Sequence, residues 1–190
     1  MPHPTLLPIF AAAVAIASPA YAADEAAQRM EAYNDAVVAI MKQKLAFGPR
    51  ADRFEALVRS YYDMPGIAAL VVGPGWATTP AADRTAAIAA LTRHSAISLA
   101  RNFKSYGGEQ FRVDPAVVTR GTSRVVRVTI NTDVLLYQMR QADGAWKIVD
   151  VISGGVSQLA VQRSDLAGIV AGGGAAGLAK RLREVDARAR

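Results

Sequence analysis

The feature that most constrains this chain is a change of hydrophobic period near its middle. From Met30 to Phe103 apolar residues recur at helical spacing, from residue 110 to 152 they alternate, and after Gly155 the helical period returns. Met30, Tyr33, Val37 and Met41 share one helix face, and Gly48-Pro49 reads as its stop. Asp52, with Glu55 three residues on, reads as the N-cap of a second helix carrying Phe54, Leu57, Val58 and Tyr61. Asp63-Met64-Pro65 opens a short third helix with Ile67, Leu70 and Val71, and Gly73-Pro74-Gly75 ends it. Thr79-Pro80 opens a fourth that runs towards Tyr106, with Ile88, Leu91, Leu99 and Phe103 on one side.

The middle segment predicts about four strands, at residues 110–118, 124–130, 134–140 and 146–152. Val126, Val128 and Ile130 share a strand face, and Arg127 and Thr129 take the other. Asp143-Gly144 is a hairpin turn, so the sheet is antiparallel. Gly154-Gly155 permits a sharp turn out of the last strand. Ser157 and Ser164 are expected to cap two short helices, Gly172-Gly173-Gly174 to break the second, and Leu178, Leu182 and Val185 to mark a last one. The prediction is one α+β domain. An antiparallel sheet packs against N- and C-terminal helices, and a cleft lies between the layers.

The first residues read as a targeting segment. Leu6 to Ala17 is apolar, and Ser18-Pro19-Ala20-Tyr21-Ala22 supplies an A-x-A cleavage pattern. Residues 1–22 are therefore expected to be a cleaved signal peptide and residues 23–190 the mature domain, exported to a periplasm-like compartment. The chain has no cysteine, which excludes disulfides, thiolate metal sites and thiol catalysis. Its formal charge of +6 fits a solvated surface or weak attraction to anionic headgroups. The basic residues form no nucleic-acid motif, so no nucleic-acid partner is expected.

Reactive groups are few. His94 is the one histidine of the predicted mature chain, and it makes a zinc site improbable; no cofactor or metal is expected. Asp150, if its strand alternates regularly, shares a face with Trp146 and Ile148. It is either a general base in a small cavity or, more often for such a residue, an acceptor of backbone amides at a helix start. Asp63 has the same two readings, with the N-cap favoured. What remains is apolar surplus, with the segment Trp146 to Ala160 reading as the wall and rim of a greasy cleft.

Several ordered stretches carry a family resemblance. They are Tyr61-Tyr62-Asp63-Met64-Pro65, then Val72-Gly73-Pro74-Gly75-Trp76, then Tyr106-Gly107-Gly108-Glu109-Gln110-Phe111. Trp146-Lys147-Ile148-Val149-Asp150-Val151 follows, with Gly155-Val156-Ser157, Arg163-Ser164-Asp165-Leu166 and Gly177-Leu178. In these the chain resembles the MlaC-type (toluene-tolerance) family of periplasmic lipid carriers. The second and third stretches look most like its hopanoid-associated HpnM branch. The chain departs from the family pattern at Gly154, where members often carry an acidic residue.

The resemblance implies a cone-shaped, NTF2-like domain and a monomeric shuttle, not an enzyme. Its ligand would be a phospholipid or hopanoid. Its partners would be an inner-membrane lipid transporter and an outer-membrane lipoprotein complex, with transient membrane contact. The expected cavity lining is Phe54, Leu57, Val58, Ile67, Leu70, Val71, Trp76, Ile88, Leu91, Leu99, Phe103, Val126, Val128, Ile130, Leu136, Ile148, Val156 and Leu159. At ~0.8 kcal/mol per methylene, two acyl chains of roughly thirty methylenes cost on the order of 24 kcal/mol to expose. An almost wholly apolar lining is therefore expected. The competing readings are a small-ligand binder or enzyme using Asp63, His94 or Asp150, and an adaptor that docks through its basic surface without a ligand. A convergent polar cluster at the base of the pocket would favour the enzyme.

Overall fold

The computed structural model describes residues 24–188; the expected signal peptide, residues 1–22, lies outside them. Among the described residues no helix is long and apolar enough to cross a membrane. Four helices come first: α1 (Glu25–Lys42), α2 (Phe47–Tyr61), α3 (Met64–Val72) and, after a 3-10 turn at Gly73–Thr78, α4 (Ala81–Asn102). Six strands follow: β1 (Phe111–Val113), β2 (Val118–Arg120), β3 (Ser123–Ile130), β4 (Asp133–Ala142), β5 (Ala145–Ser153) and β6 (Val156–Ser157). Helix α5 (Gln158–Ala187) closes the domain. The α+β architecture and antiparallel sheet are those expected, with six strands in place of about four.

The sheet runs β1-β3-β4-β5-β6, with β2 also against β3. β1 and β2 lie end to end along β3, pairing with its last and first residues. The single strand expected at 110–118 is thus interrupted. Pro115 falls in the gap, and a proline has no N–H to give the ladder. Two-residue turns join β3 to β4 and β4 to β5, with Asn131, Asp143 and Gly144 at positive φ. Gly154 and Gly155, at φ 56° and 80°, turn β5 back into β6, so the double glycine makes a third hairpin before the helix begins.

Pairing fixes which side chains face the helices. Val126, Tyr137 and Val151 stand in one row across β3, β4 and β5, and Val128, Leu135 and Ser153 in the next. A register shift at Gln138/Met139 leaves Val149 without a partner. Ile148 and Val149 are consequently both buried, and Asp150 pairs with Gln138 on the opposite face from Ile148. The regular alternation expected for β5 is therefore broken just before Asp150.

The helix boundaries differ from expectation in several places; α4, for one, has Pro80 rather than Thr79 at its N-cap and ends at Asn102, short of Tyr106. α1 ends at Lys42 and Lys44 takes φ 51°, so Gly48-Pro49 is not its stop. Those two residues sit in the first turn of α2, where a missing N–H costs nothing. Asp52 is not an N-cap: its carboxylate receives Nη1 of Arg93 at 2.7 Å, and Glu55 receives the same nitrogen at 3.0 Å. α5 runs through Ser164 without a break, with Ser157 as its N-cap. The glycine triplet does interrupt it, at Gly174 (φ 55°, ψ −150°), where the backbone leaves the helical range.

Candidate functional site: a cavity beneath the last helix

Between α4, the first half of α5 and the β4–β5 half of the sheet lies a cavity of about 570 Å³. That is within the ~300–1,000 Å³ usual for small-molecule sites. Burial of the lining gives it a direction. Ile67, Tyr137, Val149 and Leu166 are buried and form the floor, while Asn102, Ser153, Gln158, Val161 and Asp165 are exposed and mark the mouth. Leu99, Phe103, Leu135, Val151 and Leu159 make the apolar walls, and Ser95 and Ser98 add a polar strip along α4. The lining is more polar than the sequence suggested, and among the described residues no lysine or arginine contributes to it.

Three tyrosines pack at the inner end. Tyr33 makes edge contacts with both Tyr62 and Tyr137 at ring separations of 6.0 and 5.9 Å, and its hydroxyl lies 3.1 Å from that of Tyr62. Tyr62 and Tyr137 also line the cavity. Burial pushes the Tyr62 hydroxyl up to about 12, against the opposing effect of its hydrogen bond with Tyr33. Burial likewise pushes the hydroxyls of Tyr33 and Tyr137 well up. All three are neutral phenols at physiological pH.

The three candidate acid–base residues each have a structural task. Asp63 is buried, accepts the Gly66 amide at 2.9 Å as N-cap of α3, and pairs with the guanidinium of Arg140. A Cβ at Gly66 would collide with both groups, so a larger residue there would have to displace the Arg140 guanidinium. Asp150 accepts the amides of Val151 (2.8 Å) and Leu159 (3.0 Å) and the Ser157 hydroxyl (2.6 Å), anchoring the start of α5. That is the amide-binding role weighed against catalysis in the sequence. His94 lines the cavity, with Nδ1 2.8 Å from Oδ1 of Asp186 near the end of α5. Among the described residues no group of three or more acidic or histidine side chains could hold a metal.

Of the expected lining residues, Ile67, Leu99, Phe103 and Leu159 do surround the cavity. Phe54, Val58, Leu91, Val126, Val128 and Ile148 are wholly enclosed in the packed core, with Leu57 beside them. Trp76, Ile88 and Ile130 pack against that core from its edge. Leu70 and Val156 are exposed, and Val71 lines a separate groove between α3 and α5. Leu136 stands on the far face of the sheet, paired with Arg127 and Ile152. Sequence reasoning passed over Leu135, Tyr137, Val151 and Leu166. The hairpin at Asn131-Thr132 was the available signal, because it sets Leu135 opposite Val128 and Tyr137 opposite Val126.

With the cavity described, comparison with known proteins decides the family. Residues 31–184 match the model of the MlaC protein family. The chain belongs to that family. Among solved structures, it is similar to the phospholipid-binding protein from Ralstonia solanacearum, determined in complex with a phospholipid. The match has a TM-score of 0.67 and 21% identity, and covers 87% of this chain and 99% of that one. At that identity the likeness establishes the fold of this MlaC family member. No curated protein matches it.

Proposed function

We propose that this protein is a periplasmic lipid carrier that takes one amphiphilic lipid into the cavity beneath α5 and passes it between membrane-bound transport components. The observation that carries this reading is the cavity itself: apolar walls, a buried floor and a polar mouth, on a fold also seen in a protein solved with phospholipid. Hydrocarbon against Leu99, Phe103, Leu135 and Val151 leaves water at ~25 cal/mol per Å². The polar mouth leaves a headgroup solvated.

Membership of the family and the A-x-A segment at Ala20–Ala22 support the periplasmic location. The likeness to the HpnM branch makes a hopanoid the alternative cargo to a phospholipid. An inner-membrane lipid transporter and an outer-membrane lipoprotein complex are the partners this reading requires, with the protein acting as a monomer.

Native mass spectrometry of protein purified from periplasm, followed by organic extraction, tests the reading. One lipid per chain is expected, and its identity separates phospholipid from hopanoid. Lipid-free protein that also takes none from vesicles would overturn it.

A further inference from the structure

One group at the floor of the cavity has no task in the fold. Tyr137 is only 3% exposed, yet its hydroxyl has no hydrogen bond among the described residues. The atom keeps some accessible surface, unlike the enclosed, unpartnered polar atoms among the described residues, Arg29 Nε and the Asn34 amide. It opens onto the cavity that Tyr137 lines. Tyr62 lines the same cavity, and its hydroxyl shares one hydrogen bond with Tyr33 and has capacity for another. A hydroxyl at a buried floor with no protein partner is a cost to the fold unless something in the cavity bonds it. Phenylalanine would fill the same space and keep the edge contact with Tyr33.

We propose that the hydroxyls of Tyr137 and Tyr62 form a hydrogen-bonding subsite at the cavity floor, which receives an uncharged hydroxyl group at the buried end of the lipid. The inference rests on the lipid-carrier reading and narrows its cargo. A lipid of two plain acyl chains would set methyl ends against both phenols and satisfy neither. A lipid hydroxylated at its inner end satisfies both. The group must be uncharged. Among the described residues no lysine or arginine lines the cavity, and its two carboxylates, Asp150 and Asp165, lie at the sheet edge and the mouth. A phosphate carried to the floor would be desolvated with no countercharge. The phenols stay neutral there and can each donate or accept.

The test uses phosphatidylcholine vesicles doped with either a pentacyclic triterpene alcohol or the parent hydrocarbon of the same skeleton. Lipid bound to the full-length mature protein is quantified after gel filtration. The ratio of wild-type to Tyr137→Phe uptake is taken for each lipid, which cancels the lipid's own preference for the bilayer. One net hydrogen bond corresponds to about a fivefold loss of alcohol uptake in the variant, with hydrocarbon uptake unchanged. Tyr62→Phe should lower alcohol uptake in the same direction. Thermal melting of Tyr137→Phe should be unchanged or higher, because it removes an unpaired polar group. Equal ratios for the two lipids, or a fall in both, would overturn the subsite while leaving the carrier reading intact. If wild-type protein takes up neither lipid nor phosphatidylcholine, the carrier reading fails first and the subsite with it.

Discussion

The two halves of the helix-facing sheet surface have the same chemistry and opposite fates. On β3, Val126 and Val128 are sealed under α1 in the packed core. One and two strands away, in the same rows, Leu135, Tyr137 and Val151 look into an open cavity. The difference lies in the cover. α1 lies over β1, β3 and β5, whereas α5 packs along α3 and α4 and meets the sheet mainly at β5 and β6. Its first half stands off the sheet, anchored by Asp150 and Ser157, and Gly174 lets its second half change course. An apolar strand face therefore states that something covers it. Whether the cover is protein or ligand depends on how a helix far along the chain is held.

Substituting one residue in each half should separate them most sharply. Val128→Asp puts an unpaired charge in a space with no room for water, so no folded protein is expected. Leu135→Asp, its direct cross-strand neighbour, faces a cavity that admits water. That variant should fold, melt within a few degrees of wild type, and purify with at most about a fifth of the normal lipid. Circular dichroism and lipid extraction read both outcomes. A folded Val128→Asp or a fully loaded Leu135→Asp would erase the distinction.

The tyrosine cluster spans the boundary and answers to pH. Burial raises the folded-state value of Tyr62 to about 12, and those of Tyr33 and Tyr137 also lie above the ordinary value of 10.0. A raised phenol contributes its stability fully below the unfolded value and loses it as pH climbs towards the folded one. Stability should hold to about pH 9.5, then fall by up to roughly 1.4 kcal/mol per pH unit for each of the three. Tyrosinate absorbance near 295 nm should therefore grow together with loss of the helical signal. Three phenols ionising near pH 10 in a folded protein would contradict their burial.

The clamp between α3 and the sheet should matter next. Asp63 is 6% exposed, and its partner Arg140 side chain 40%. Removing one member of a fully buried pair costs ~3–5 kcal/mol, but solvent at Arg140 screens this one. Arg140→Ala should cost about 2 kcal/mol in denaturant unfolding, since Asp63 keeps its Gly66 amide. Lipid occupancy should change little, because neither residue lines the cavity. A loss of occupancy without a loss of stability would place the clamp in the cavity's service.

The sequence showed faces well and covers poorly. Alternation placed Val126 and Val128 towards the helices, and Asp143-Gly144 placed a hairpin, because both signals are local. The N-cap at Asp63 was equally local. Asp52 misled because an acidic residue near a helix start can cap or can pair, and its partner Arg93 is 41 residues away. The bulge at Val149 leaves no mark on composition, yet it moves Asp150 to the other face. Leu136 was chosen over Leu135 and Tyr137 because strand phase is ambiguous until a turn fixes it. The cavity depends on how α5 is held against α3 and α4, elements far earlier in the chain, a relation that no window of sequence holds.

The smallest effect is expected at His94. It lines the cavity wall, and its Nδ1 lies 2.8 Å from Asp186, whose side chain is 8% exposed. If the bond serves to tie the end of α5 to α4, His94→Ala leaves the Asp186 carboxylate without that partner and should cost about 1–2 kcal/mol of stability. His94→Gln, which can still donate a hydrogen bond, should recover part of that loss. Lipid uptake should stay within about twofold of wild type in both, because the apolar walls that hold hydrocarbon are unchanged and one net hydrogen bond is worth only ~0.5–1.5 kcal/mol. Vesicle-transfer rates and denaturant midpoints, measured on the same preparations, keep the two quantities apart. If transfer collapses in His94→Ala while the midpoint does not move, His94 acts on the ligand. The cavity would then be a reactive site, as the enzyme reading of the sequence holds.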